Sequence, residues 1–182
     1  MGIRQGGGFP PLLIHTRMRQ EKRITILGLG NILMADEGFG VHFVKWFEGR
    51  HTFPETVEII DGGTLGYFLL DIMDRSSSMI IIDVIKLADA PGSIYRFTQA
   101  EFATYMPPPT SAHEVSLSDV LCKAEMIGEL PEIVFLCIVP SNYQDMNLEL
   151  TPGLQERFPA MERLVLAELA RLGVELETTD HA

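Results

Sequence analysis

The 182-residue chain predicts an α/β fold, a three-layer αβα sandwich around a twisted, largely parallel sheet. Three observations carry that expectation. Ile24 to Gly40, ITILGLGNILMADEGFG, reads as a buried strand, a turn at Gly28-Leu29-Gly30-Asn31 and the start of a helix. Met79 to Val84 is nearly all isoleucine, as a strand covered on both faces requires. Strand-like and helix-like segments then alternate toward the C-terminus, the order that produces parallel strands joined by crossover helices.

Each element follows from local chemistry. Val41, Val44, Trp46 and Phe47 give Phe39 to Glu48 an apolar face at helical spacing. A loop at Pro54 leads to a second strand, Val57 to Ile60, which ends in Asp61-Gly62-Gly63-Thr64; Leu65 to Met73 reads as a short helix. After the isoleucine strand, Ala90-Pro91-Gly92 is a turn and Ser93 to Phe97 a further strand. Pro107-Pro108-Pro109 opens a loop that reaches His113, and Ser116 can cap a helix from Leu117 to Ile127 that Gly128 ends. Ile133 to Val139 is the last strong strand. Thr151-Pro152 opens a C-terminal helical region that Pro159 should kink or restart and Gly173 should stop. Residues 23–182 are expected to form one domain, preceded by a loose extension over residues 1–22. That extension carries Gly6-Gly7-Gly8 and Pro10-Pro11, and its apolar cluster Leu12-Leu13-Ile14 is too short for a signal peptide.

A net charge of −11 opposes binding to nucleic acid phosphates or an anionic membrane, so neither is expected as a partner. No apolar run approaches the roughly 18 residues needed to span a bilayer. The only cysteines, Cys122 and Cys137, form no CxxC motif and no disulfide framework, which fits a reducing cytoplasm.

Several chemistries can be weighed against the residues. The dinucleotide signature G-x-G-x-x-G is met at Gly28 and Gly30, but Leu33 stands at the third position. His113-Glu114 begins a zinc-protease motif that Leu117 breaks, and no G-x-S-x-G elbow is present. The acids are more informative. Asp83 interrupts an apolar strand, where an unpaired carboxylate is costly; it is either a polar strand end or a ligand. Glu37 either favours the dipole of the following helix or points into a site above the strand ends. Asp61 either caps its glycine turn or takes part in chemistry, and His113 is either an ordinary loop histidine or a third ligand. Together Glu37, Asp83 and His113 could offer two carboxylates and an imidazole to a borderline divalent metal such as nickel or zinc.

The ordered set GLGNILMADEGFGVH, EIIDGGTLG, IIIDVI, APGS, SAHEVSLSDVL and LTPGL, spanning about Ile24 to Val174, resembles the nickel–iron hydrogenase maturation endopeptidases. The resemblance implies removal of a short C-terminal peptide from the hydrogenase large-subunit precursor after nickel has been inserted. It implies recognition of that nickel, supplied by the substrate, through Glu37, Asp83 and His113. It makes Asp61 the candidate acid for substrate processing or for site shape. The alternative is a non-catalytic nickel-binding or docking protein on the same fold.

Overall fold

The computed structural model describes residues 23–64, 66–105, 117–128 and 130–178. The proposed extension over residues 1–22 and the loop that carries His113 lie outside them. Strand β1 (Ile24–Leu29) enters a short 3-10 helix, Ala35–Gly38, and then α1 (Phe39–Glu48). There follow β2 (His51–Thr52), β3 (Val57–Gly63), α2 (Leu69–Arg75), β4 (Ser78–Val84), β5 (Ile94–Thr98) and α3 (Gln99–Tyr105). The described chain closes with α4 (Leu117–Ile127), β6 (Glu132–Ile138), α5 (Pro152–Gln155), α6 (Phe158–Arg171) and β7 (Glu177–Thr178).

The central sheet has the order β3-β1-β4-β6-β5. All its pairings are parallel except β5 with β6, which is antiparallel and forms one edge. Alternation along each strand feeds two cores. Ile24 and Ile26, Ile80 and Ile82, and Val134, Leu136 and Ile138 meet Phe39, Phe43 and Phe47 of α1 and Met161, Val165 and Leu169 of α6. Leu27 and Leu29, Met79 and Ile81, and Ile133, Phe135 and Cys137 meet α2, α3 and α4 on the opposite face. The helices thus cover both faces of a largely parallel sheet, as expected. No helix among the described residues is long and apolar enough to cross a membrane.

Three features go beyond the sequence reading. The segment Leu65 to Met73 divides into a 3-10 turn at Gly66–Phe68 and the helix α2. Gln99–Tyr105 forms a helix, and His51–Thr52 pairs antiparallel with Glu177–Thr178 in a separate two-stranded ribbon. Pro159 restarts the chain rather than kinking it, because it occupies the first turn of α6, where its missing N–H is not needed.

The glycines of the first motif set how closely α1 lies on the sheet. A Cβ at Gly40 would stand 2.3 Å from the Ile82 carbonyl oxygen and 2.4 Å from that of Leu29. Both obstacles are backbone, so α1 would have to move. Alanine normally gains about 1 kcal/mol over glycine inside a helix. Here overpacking against two strands opposes that gain and costs about 1–3 kcal/mol, so Gly40→Ala should lower the urea midpoint. An unchanged or raised midpoint would show that the helix has room to retreat.

Candidate active site

The chain leaves β1 for β3 on one side and reaches β4 on the other, so the C-terminal ends of β1, β3 and β4 flank a topological switch point. A cleft of about 570 Å3 opens there. Gly30 and Asn31 line it from the end of β1, Glu37 from the 3-10 helix, Gly63 and Thr64 from the end of β3, and Asp83 and Lys86 from β4 and beyond. Leu69, Phe102, Tyr105, Leu117 and Val120 form an apolar wall.

The turn that delivers Glu37 is tightly determined. Gly30 donates its N–H to the Gly63 carbonyl at 3.0 Å, joining the ends of β1 and β3. Its φ of 135° and the 1.8 Å that would separate an added Cβ from the Glu37 carbonyl oxygen both require glycine. Asn31 accepts the Leu33 N–H on its side-chain oxygen at 3.0 Å, and Ala35 follows in the left-handed region with φ 46°.

Glu37 and Asp83 share this cleft. Asp83 is the penultimate residue of β4, accepts the Val84 N–H at 2.7 Å and is partly buried. Burial pushes its carboxyl up from 3.8 to about 7; the Val84 hydrogen bond opposes the rise and the negative charge of Glu37 adds to it. Glu37 itself accepts a hydrogen bond from Lys86 Nζ at 3.0 Å. Beside Asp83 in register on β6 lies Cys137, whose thiol burial pushes far up, so it is no nucleophile at neutral pH. Cys122 is exposed on α4, apart from the cleft lining.

The remaining predicted residues separate. Asp61 does not line the cleft. One carboxylate oxygen accepts the Gly63 N–H at 3.1 Å, the turn-capping geometry, and the other meets Lys45 Nζ at 2.8 Å. His113 lies outside the described residues, and among the described residues no group of three or more His, Cys, Asp or Glu is gathered as for a metal. Glu37 and Asp83 present two carboxylates to the same cleft, a pair of hard oxygen donors of the kind that could hold a divalent ion together with further ligands.

Asp36, the other acid of the ADEG turn, is structural. It is fully buried, and it accepts the N–H groups of Ser141 at 2.9 Å, Asn142 at 2.7 Å and Thr151 at 2.8 Å, with the Thr151 hydroxyl at 3.1 Å. Ala35 N–H to Asn147 O and Asn147 N–H to Leu33 O add two main-chain links. The segment from Ser141 to Thr151 is therefore pegged to the turn that carries Glu37.

A profile described as hydrogenase maturation protease matches residues 41–168. The chain belongs to the hydrogenase maturation protease family. The hydrogenase 2 maturation protease of Escherichia coli K12 is 37% identical over 155 residues, covering 84% of this chain and 94% of its own. The hydrogenase expression/formation protein HupD of Bradyrhizobium diazoefficiens is 33% identical over 164 residues, covering 85% and 82%. The solved structure of the E. coli hydrogenase maturating endopeptidase HybD has a TM-score of 0.81 at 34% identity, over 88% of this chain and 99% of that one. As a member of this family the chain is a peptide-bond hydrolase.

Proposed function

We propose that this member of the hydrogenase maturation proteases removes a C-terminal peptide from the large-subunit precursor of a nickel–iron hydrogenase, in the cytoplasm, once nickel has been inserted. The supporting observation is the meeting of Glu37 and Asp83 in one cleft. The negative charge of Glu37 opposes ionisation of Asp83, and a divalent cation in the cleft relieves that repulsion. In this reading Glu37, Asp83 and His113 offer oxygen, oxygen and nitrogen donors to nickel that arrives as part of the substrate, and nickel accepts both carboxylate and imidazole. Nickel held by these residues would serve as the recognition element and would be able to supply Lewis acidity. Asp61 gives the β3 turn its shape, through its own Gly63 hydrogen bond and its pair with Lys45. The apolar wall of Leu69, Phe102 and Tyr105 covers peptide flanking the metal and limits water. The partner is a protein; a net charge of −11 favours neither nucleic acid nor an anionic bilayer.

Mass spectrometry of precursor incubated with the full chain tests the proposal. Loss of the C-terminal peptide from nickel-loaded precursor, and none from nickel-free precursor, is the expected result. Nickel-dependent binding without a mass change would make the chain a docking protein instead. Equal cleavage of both precursors would remove nickel from the recognition step.

A further inference from the structure

We propose that Lys86 is a tethered counter-cation that occupies Glu37 in the substrate-free protein and makes the site favour metal delivered inside the substrate over free ions. The inference rests on Glu37 and Asp83 being metal donors, as proposed above. Lys86 lies just beyond the end of β4, three positions after Asp83, and lines the same cleft. Its ammonium touches two groups at once: the Glu37 carboxylate at 3.0 Å and the ring of Tyr143, with Nζ 4.2 Å from the centroid. Tyr143 belongs to the segment that Asp36 pegs beside the 3-10 helix, so the ring is held where the ammonium can lean on it. The Lys86 side chain is 55% exposed, and an ion pair that open to solvent is weak enough to be exchanged.

The consequence is a selectivity filter. A free hydrated ion entering the cleft must displace a cation already in contact with Glu37, and it brings no docking surface to offset that exchange. A metal carried by the precursor meets the same ammonium, but the protein surface around it docks at the same time, so the exchange becomes effectively intramolecular. The Tyr143 ring gives the displaced ammonium a place to rest without leaving the cleft's rim. Lys86 is thus a specificity-determining residue; it takes no part in bond cleavage.

Calorimetric titration of cadmium chloride into the full chain at fixed pH and ionic strength tests this. Lys86→Met removes the charge and keeps the stem, and should bind cadmium about tenfold tighter than wild type, since one unit charge near a divalent ion is lost. Lys86→Arg should stay within about twofold of wild type, because the competing charge remains. Glu37→Gln should bind weakly, which locates the binding at this site. Processing of nickel-loaded precursor by Lys86→Met should also become more sensitive to added free zinc. Thermal melts of each variant confirm an intact fold. Cadmium binding by Lys86→Met no tighter than wild type overturns the proposal. No cadmium binding by wild type, or binding that Glu37→Gln leaves untouched, overturns the metal-site reading itself.

Discussion

Asp36→Ala should destabilise the protein by about 3–5 kcal/mol, because three main-chain N–H groups lose their buried charged acceptor together. Against a total stability of about 5–15 kcal/mol for a domain, that loss is large. Asp36→Asn keeps the volume but turns an amide NH2 toward donors, so it should recover only part of the loss. Glu37→Gln, one residue away, exchanges a partly buried carboxylate paired with an exposed lysine and should change stability by about 0.5 kcal/mol or less. Adjacent acids thus separate cleanly into a structural peg and a site residue. Urea unfolding of the three variants measures the difference. A loss below about 1 kcal/mol for Asp36→Ala would mean that water replaces the carboxylate and that the segment Ser141 to Thr151 is not held by it.

Asp83→Asn should abolish processing of the nickel-loaded precursor and at the same time raise stability at alkaline pH. The asparagine oxygen can still accept the Val84 N–H, so the local geometry is kept. The sign follows from the carboxyl's position. Its folded-state pKa of about 7 lies above its ordinary 3.8, so the native protein holds a proton that the unfolded chain has released between those values. The wild type therefore loses stability as pH rises from about 4, and the loss is complete above about 7. Each tenfold displacement of the protonation equilibrium is worth about 1.4 kcal/mol, and solvent reaching the partly buried carboxylate trims the sum. Asp83→Asn should accordingly gain about 1–3 kcal/mol over wild type at pH 8, falling toward zero near pH 4. Thermal melts across that range check the slope. A gain independent of pH, or a loss at pH 8, would assign Asp83 a structural network in place of a site.

The sheet and its layers were legible because apolar periodicity is a local signal. Ile80 and Ile82 on one face and Met79 and Ile81 on the other produce a run that only a doubly covered strand needs. Glu37 and Asp83 were legible as anomalies: a carboxylate after a glycine turn, and another inside an isoleucine strand. What the sequence hid depends on contacts distant along the chain. Asp36 is explained by Ser141, Asn142 and Thr151, more than a hundred residues away. Lys86 looks like any surface lysine until Glu37 is folded against it. Helix α3, Gln99–Tyr105, carries only one buried residue, Phe102, so its apolar periodicity is too faint to read from the sequence. Asp61 precedes two glycines, a setting that suits a cap and a chemical group alike; in the fold it accepts the Gly63 N–H as a cap does, and its pair with Lys45 turns the carboxylate toward α1.

Anomalous scattering from cadmium-soaked crystals of the full chain tests the central claim most directly. The account predicts one dominant peak in the cleft, within coordination distance of the carboxylates of Glu37 and Asp83 and of the His113 imidazole, at about 2.0–2.4 Å for such ligands. A dominant peak elsewhere, with Glu37 still on Lys86 and Asp83 bonded only to Val84, would contradict it.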